Sequence, residues 1–303
     1  MKKIKKCTGV ITALVTPFYK GQVDFASIKK LVEHQLANDV EGFVVNGTTG
    51  ESPTLTEKEV IKIYKFVEKQ VHAFEKKNKR QISLILGTGS NSTAETINKT
   101  KLAKKLKADA ALIVVPYYNK PTQPGLIAHY QAIAKAVNVP IILYNVPGRT
   151  VISMTADTAA QLSNVKNIHG IKEASGKIDL AKEIKSLSSS EFILLSGDDA
   201  SCIEFMKVGG EGVISVISHV IPKALRELSD RARSGDASVT TAYVKYERLN
   251  SLIGIEPNPI PVKMALHLMG LITSPEMRLP LVKMTDENTE KLRAELQNLG
   301  LLR

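Results

Sequence analysis

The sequence predicts an α/β fold, a closed (β/α)8 TIM barrel over residues 1–235 with a C-terminal helical appendage over residues 236–303. Short β-branched runs alternate with helical patterns, and eight such runs begin on average about 29 residues apart, roughly the length of one βα unit. The runs are almost uninterrupted in apolar residues, as in Ala111–Val115, which is typical of strands buried on both faces. Eight units favour a closed barrel over the alternative, an open doubly wound sheet.

The predicted strands and helices follow one another in a regular order. The strands begin near Gly9, Gly42, Ile82, Ala111, Ile141, Ile168, Phe192 and Gly212. Asp24 precedes an apolar stripe with a period of 3.6, which predicts the first helix. Thr56 with Glu59, and Ser92 with Glu95, match the capping box that opens a helix.

The pattern changes after residue 235, where no further strand is predicted. Apolar spacing predicts one helix over Val239–Ile253, and the prolines of Pro257–Pro261 end it. Two more helices are predicted near Val262–Met269 and Thr289–Leu299. These helices form the predicted appendage.

Composition narrows the class of protein. The chain has 303 residues, of which 43% are hydrophobic and 23% charged, so a disordered or collagen-like protein is excluded. Its only cysteines, Cys7 and Cys202, are far apart and form no metal-ligand pattern. Two such thiols indicate a reducing compartment. The basic stretch 1–6 is followed by no long apolar segment, so we expect a cytoplasmic protein without a membrane span.

The net charge of +11 has an ordinary interpretation. The lysine clusters near residues 76–80 and 99–107 lie in helical patterns and are expected to be solvated helix faces. No stacking aromatics or groove-reading motif accompany them, so nucleic-acid binding is not expected. A basic protein can still attract small anionic substrates.

Four predicted strand ends carry residues able to do chemistry, and in such barrels active sites lie at these ends. The sixth strand ends at Lys172, and because a cation is costly to bury there, part of this lysine is expected to be a free, nucleophilic amine. The second strand leads into Gly47–Ser52, whose hydroxyls and amides can hold a carboxylate. The fourth leads to Tyr117 and Tyr118, and the fifth to Tyr144 and Arg149.

Each feature taken singly has a structural alternative: a plain turn, packed aromatics, a surface ion pair, a salt-bridged lysine. Together they supply an amine nucleophile, hydroxyl proton relays, a neutral loop that can bind a carboxylate and an arginine that can bind another. This set favours carbon–carbon bond chemistry on a keto acid. The sequence has no metal-binding or nucleotide-binding motif, and its six histidines are scattered without ligand spacing. We therefore predict neither a metal site nor a cofactor.

The motifs at these strand ends resemble those of the dihydrodipicolinate synthase family, within the pyruvate-dependent class I aldolase superfamily that includes N-acetylneuraminate lyase. The resemblance extends from about Gly9 to the C-terminus. The segments that carry it are Gly47–Ser52, Tyr117–Pro121, Tyr144–Thr150, Gly170–Ala174, Ser196–Asp199 and Glu256–Lys263.

The resemblance implies a reaction and a role for particular residues. Lys172 would form a Schiff base with pyruvate, which would then condense with L-aspartate 4-semialdehyde to give 4-hydroxy-tetrahydrodipicolinate for lysine (diaminopimelate) biosynthesis. Tyr144 would shuttle protons, and Thr48 would link it to Tyr118, which in this family reaches in from a neighbouring subunit. No cofactor would be required.

The resemblance also implies the substrate contacts and the assembly. Thr49 and the turn around it, including Thr48, would bind the pyruvate carboxylate, and Arg149 would hold the carboxylate of the semialdehyde. Gly197 and Ile214 match positions that line the pyruvate pocket. The family is usually a homotetramer built as a dimer of tight dimers.

A regulatory site is a further implication. Ser52, Asn91, Glu95 and Tyr117 match positions at which many family members bind lysine. Glu57 and Val60 stand where lysine-sensitive members have histidines, and Pro53 replaces a small residue. We therefore expect weak or absent inhibition by lysine.

Two other functions remain open at this stage. A sister aldolase acting on neuraminate or a keto-deoxy-sugar acid would use the same Lys172, Tyr144, Thr48 and Thr49. Arg149 and the tyrosine pair favour the synthase, because they suit a short acidic aldehyde better than a polyol. A non-catalytic barrel acting as a binding protein would be expected to have lost the lysine or the tyrosines, and neither is lost.

Overall fold

A closed barrel of eight parallel strands forms the centre of the molecule in the computed structural model, which describes residues 7–302. In chain order the strands are β1 (Gly9–Ala13), β2 (Phe18–Tyr19), β3 (Gln22–Val23), β4 (Gly42–Val45), β5 (Ser83–Gly87), β6 (Ala110–Val114), β7 (Ile141–Asn145), β8 (Ile168–Glu173), β9 (Ile193–Ser196) and β10 (Gly212–Ser215). The barrel closes where β1 pairs with both β4 and β10. The predicted barrel is confirmed, and the open-sheet alternative is wrong.

Helices follow the barrel strands and cover their outer side. They are α1 (Phe25–Ala37), α2 (Glu57–Asn78), α3 (Thr93–Lys105), α4 (Gln123–Ala136), α5 (Pro147–Thr150), α6 (Ala156–Ser163), α7 (Ile178–Leu187), α8 (Cys202–Lys207), α9 (Pro222–Arg233), α10 (Val239–Val244), α11 (Glu247–Ile253), α12 (Ile260–Leu268) and α13 (Asp286–Asn298). Short 3-10 turns lie at Ser52–Thr54 and Ile217–His219.

Alternation along each strand divides the core into two parts. One set of buried residues faces the helices, as Leu143 and Ile171 do. The other fills the barrel interior and includes Ile142, Leu195 and Ile214. The near-continuous apolar runs of the sequence follow from this double burial, and all eight predicted barrel strands begin within one residue of their predicted start.

The helix starts agree with the sequence in two of three cases. The Asp24 side chain caps α1 by accepting from the Ser27 amide, and Thr56 with Glu59 forms the full capping box. The box predicted at Ser92 is wrong in its second half. Ser92 accepts from the Glu95 amide, but the Glu95 carboxylate binds Ser90 and Lys99 instead of returning to the Ser92 amide.

Some elements differ from the prediction. The β2–β3 hairpin was not predicted because it pairs only two residues in each strand. The single helix expected over Val239–Ile253 is two helices, α10 and α11, separated at Lys245–Tyr246. The last two helices are found with shifted ends.

The C-terminal helices pack on one another and on the barrel. Helix α13 lies against α11 and α12, and α10 lies against α8 and α9. Leu292 and Leu296 of α13 are fully buried in the core that also contains the outer faces of the strands. The division into domains at residue 235 stays a prediction.

The N-terminal stretch and the two cysteines were the basis for the expected location. The basic stretch 1–6 lies outside the described residues. Cys7 and Cys202 are both buried, and burial raises the pKa of Cys202. No helix of the described part has both the length and the apolar character needed to cross a membrane.

Candidate active site

Lys172 and Tyr144 lie side by side inside the barrel, near the carboxyl ends of their strands. They are register partners on the neighbouring strands β8 and β7, so both side chains point to the same side of the sheet. The Lys172 Nζ lies 4.3 Å from the centroid of the Tyr144 ring. Lys172 is 6% exposed and Tyr144 8% exposed. The lysine predicted to be nucleophilic is therefore enclosed, next to the predicted proton relay.

The surroundings of Lys172 are mainly apolar. Tyr144 belongs to the interior cluster with Ile142, Leu195 and Ile214. Within residues 7–302 the Nζ atom forms no salt bridge or hydrogen bond and lies over the Tyr144 ring, so the salt-bridged alternative is not what the structure shows. A primary amine enclosed in this way, without an ionic partner, is placed to attack the carbonyl carbon of a bound substrate.

Gly197 abuts the Lys172 side chain. A Cβ built on Gly197 would lie 2.7 Å from Lys172 Cε and 2.6 Å from Ala174 Cβ. Because real side chains do not approach so closely, any larger residue here would displace the lysine. Ile214, on β10, is 1% exposed and belongs to the interior cluster. Both positions implied by the resemblance thus lie in the interior around the lysine.

The loop after β4 folds back tightly on itself. The amides of Gly50 and Ser52 donate to the Gly47 carbonyl, at 3.1 and 3.4 Å, and the Glu51 amide donates to the Thr48 carbonyl at 3.0 Å. Thr49 is buried, whereas Thr48 is partly exposed. This turn places two consecutive threonines at the carboxyl end of the barrel.

Thr48 and Tyr144 border the same cavity, whose volume is about 160 Å³. The cavity continues outward to Ser52 and Tyr117, and Glu57, Val60 and Lys99 also line it. Asn91 and Glu95 are not among its lining residues. The Asn91 carbonyl accepts from Asn119, and Glu95 forms an ion pair with Lys99 at 2.7 Å.

Tyr118 lies apart from the lysine within one chain. Its side chain is 87% exposed, and its backbone has a φ of +73°, a left-handed conformation that is uncommon for a non-glycine residue. Tyr117 is 40% exposed. The single chain therefore presents two neighbouring tyrosines on its surface and does not bring Tyr118 to Lys172.

Arg149 lies on the short helix α5 and is exposed. Its guanidinium donates to the carbonyl of Asn258 at 3.1 Å. The Asn258 side chain in turn donates to the Thr49 hydroxyl at 3.0 Å. One residue of the C-terminal segment thus connects the two positions predicted to grip carboxylates.

Sequence reasoning did not single out Asn258. The available signal was its position within Pro257–Pro261, which was interpreted as a helix break and as part of the family motif. Only the folded chain shows that this break brings an amide to the mouth of the barrel.

A buried ion pair also holds the threonine loop. The Lys263 Nζ, on α12, donates to Glu51 Oε1 at 2.7 Å, and both side chains are almost fully buried. The Arg278 amide donates to the other Glu51 oxygen at 3.0 Å. Burial lowers the pKa of Lys263, and the Glu51 carboxylate opposes that shift. This pair, which sequence reasoning also missed, ties the C-terminal segment to the loop that carries Thr48 and Thr49.

Asp199 orders the turn beyond Ile214. Its carboxylate accepts from the amides of Val216 and Ile217, at 2.8 and 2.9 Å. Burial raises the pKa of Asp199, while these hydrogen bonds oppose the rise. Within the described residues, no group of three or more histidine, cysteine or acidic side chains is placed to hold a metal ion.

Comparison with known proteins shows that the chain is similar to one family over nearly its whole length. The model of the dihydrodipicolinate synthetase family matches residues 6–299. A 4-hydroxy-tetrahydrodipicolinate synthase of Bdellovibrio bacteriovorus is 51% identical over 300 residues, covering 99% of this chain and 100% of the relative. These matches confirm the resemblance and the prediction of an enzyme, a lyase of the class I aldolase type.

Solved structures of dihydrodipicolinate synthases have a fold similar to that of this chain. The chloride-inhibited dihydrodipicolinate synthase from Acinetobacter baumannii complexed with pyruvate has a TM-score of 0.92 at 43% identity, covering 97% of this chain and 99% of that one. A monomeric dihydrodipicolinate synthase variant also has a TM-score of 0.92 at 43% identity, covering 97% of both chains.

Proposed function

The chain belongs to the dihydrodipicolinate synthetase family, and we propose on that basis that it condenses pyruvate with L-aspartate 4-semialdehyde through a Schiff base on Lys172. The observation that carries the proposal is the enclosed Lys172 amine, 4.3 Å from the ring of Tyr144. The product would be 4-hydroxy-tetrahydrodipicolinate, a precursor for lysine biosynthesis.

The proposed reaction uses the amine to create a carbon nucleophile. Lys172 attacks the ketone of pyruvate, and loss of water gives the protonated imine. Removal of a methyl proton converts the imine to an enamine, whose carbon attacks the aldehyde of the second substrate. The amino group of that adduct then attacks the imine carbon, closes the ring and releases Lys172.

Proton movements are assigned to the hydroxyl groups around the lysine. Tyr144 would carry protons to and from the carbinolamine, since its ring already lies against the amine. Thr48 would link Tyr144 to Tyr118 of a neighbouring subunit. That Thr48 and Tyr144 border one cavity supports this arrangement.

The carboxylates of the two substrates would be held at different depths. Thr49 and the turn around it would bind the pyruvate carboxylate, beside the space bounded by Gly197 and Ile214. Arg149, exposed at the mouth, would hold the carboxylate of the semialdehyde. Its hydrogen bond to Asn258 supports that placement.

A coupled assay tests the choice of substrates. Turnover of pyruvate with aspartate semialdehyde, followed through a downstream reductase, is expected to exceed turnover with sugar aldehydes because Arg149 suits a short acidic aldehyde. A preference for sugar aldehydes would instead identify a sister aldolase. Absence of turnover with every aldehyde would favour a non-catalytic barrel.

We propose a homotetramer, a dimer of dimers, as the working assembly. The exposed Tyr118, strained into a left-handed backbone, suits a residue that a neighbouring chain covers. Sedimentation velocity distinguishes this assembly from a monomer. We also propose a cytoplasmic location, because a chain with only two cysteines, far apart in the sequence, suits a reducing compartment.

Lysine is expected to inhibit weakly or not at all. The Glu95 carboxylate, which matches a position of the family's lysine site, is already paired with Lys99, and this contact lowers the pKa of Glu95. An incoming lysine would have to displace Lys99 from this exposed carboxylate. Initial rates measured against lysine concentration are expected to be unchanged below about 1 mM.

A substitution of Lys99 makes this test more specific. Lys99→Met would free Glu95 and is expected to lower the lysine concentration needed for inhibition. Exposed Lys182→Met, which removes a comparable surface pair with Asp179, is the matched control. Half-inhibition of the unmodified enzyme below about 1 mM lysine would contradict the expectation.

A further inference from the structure

A buried polar pair lies directly behind the predicted catalytic residues. Asn145 follows Tyr144 on β7, Glu173 follows Lys172 on β8, and the two are register partners. Since side chains alternate along a strand, Asn145 and Glu173 point out of the barrel where Tyr144 and Lys172 point in. Asn145 is 0% exposed and Glu173 2% exposed.

Asn145 and Glu173 bond to each other and to the backbone beyond the strand ends. The Asn145 amide nitrogen donates to Glu173 Oε2 at 2.6 Å, and the Asn145 oxygen accepts from the Met154 amide at 2.9 Å. The other Glu173 oxygen accepts from the amide of Ser175. The Asn145 amide nitrogen also donates to the Ser153 hydroxyl at 3.2 Å, so each polar group of the two side chains has a hydrogen-bond partner.

Packing alone does not call for such a pair. The neighbouring outward positions, Leu143 and Ile171, are apolar and belong to the outer core. The partners of Glu173 here are an amide and a backbone N–H rather than a cation, and burying a carboxylate is costly. Core formation therefore does not explain why this polar pair is buried here.

We propose that Asn145 and Glu173 are positioning residues, which lock the ends of β7 and β8 so that the Lys172 amine reaches the ketone carbon of pyruvate while the Tyr144 hydroxyl reaches the oxygen on that carbon. The inference rests on the proposed function, because it concerns how Lys172 and Tyr144 are aligned. The lock acts at the strand ends, where backbone pairing stops and the loops begin. The Ala174 amide still donates to the Asn145 carbonyl at 2.9 Å, and beyond it the side-chain pair continues the connection.

Neither single substitution leaves the donors and acceptors of this pair matched. Glu173→Gln leaves a single acceptor facing two donors, and rotating the Asn145 amide merely moves the clash to the Met154 amide. Asn145→Asp brings two carboxylate oxygens together. The double variant Asn145→Asp with Glu173→Gln reverses the polarity of the central bond. The Ser153 hydroxyl, which accepts from Asn145, can rotate to donate to the new carboxylate, so every group is satisfied again.

The test compares the two single variants with the double variant. Each single variant is expected to lower kcat by about 10- to 100-fold, as small misalignments of reacting groups do, with the KM for the semialdehyde nearly unchanged. Borohydride trapping of pyruvate on Lys172 should slow in parallel. The double variant should recover kcat to within about threefold of the unmodified enzyme, a non-additive rescue.

A control separates alignment from stability. Asn167, before the opposite end of β8, donates to the carbonyls of Ala134 and Val137, so Asn167→Asp disturbs the same strand away from the site. It is expected to lower the melting temperature without lowering kcat. If neither single variant folds, the double variant alone decides: a recovered kcat supports the lock, and a stable double variant with low kcat overturns it.

The remaining outcomes are also decisive. Single variants with unchanged kcat, or a double variant that regains stability but not rate, would overturn the positioning role while leaving the proposed function standing. If borohydride fails to label Lys172 in the unmodified enzyme, the proposed function and this inference both fall.

Discussion

Replacing Lys172 with methionine is expected to lower kcat by at least about 10⁴-fold, because the nucleophile of the proposed reaction is removed. The same substitution should not lower the stability of the folded protein. Lys172 is 6% exposed and its amine lies over the Tyr144 ring, so an apolar side chain of similar length relieves the cost of enclosing an amine. The melting temperature is therefore expected to stay constant or rise.

The chain contains its own control for this experiment. Lys263 is equally enclosed, but it is paired with Glu51. Lys263→Met leaves that carboxylate buried without its partner, and the expected loss is about 3 kcal/mol or more of unfolding free energy. The same substitution should thus leave stability unchanged or higher at Lys172 and lower it at Lys263.

Chemical trapping completes the Lys172 test. Borohydride added with pyruvate should attach a three-carbon adduct to the Lys172 peptide, detected by mass spectrometry, and leave the Lys263 peptide unmodified. Full activity in Lys172→Met, or an unmodified Lys172 peptide in the active enzyme, would refute the Schiff-base assignment.

Tyr144→Phe is expected to lower kcat by about 10²- to 10⁴-fold, the range that general acid–base groups contribute. The ring remains in place against the Lys172 amine, so the cavity keeps its shape and the melting temperature should change little. Pyruvate should still label Lys172 in the presence of borohydride, though more slowly, because the amine is intact.

Tyr130→Phe is the matched control for the loss of a buried hydroxyl. The Tyr130 hydroxyl donates to the Ile113 carbonyl at 3.1 Å, on the helix-facing side of β6. Its removal is expected to cost about 1 kcal/mol of stability and to leave kcat unchanged. A Tyr144→Phe enzyme within about threefold of the original kcat would remove Tyr144 from the proton relay.

The barrel itself was predictable because its signal is local and repeated. Each strand is buried on two faces, so its apolar run is visible in the sequence, and the eight repeats specify closure. Lys172 was singled out as a candidate for a related reason. A charged residue ending an apolar run, as Lys172 does, contradicts the pattern around it and thereby indicates function.

Weaker local signals were less informative. The β2–β3 hairpin is too short to produce a periodic pattern. The Ser92 capping box failed because Lys99, one turn further along the helix, competes for the Glu95 carboxylate. Where two local interactions draw on the same group, the sequence motif alone does not say which one forms.

By itself, the sequence determined the repeat, the carboxyl-end location of the reactive groups and the family. Only the tertiary structure decided which distant residues support them: Asn258 between Thr49 and Arg149, and Lys263 beneath Glu51. The physical reason is that hydrogen bonds and ion pairs between segments more than 100 residues apart depend on how the C-terminal helices dock. Docking is set by shape and burial across the whole chain, and no short stretch of sequence records it.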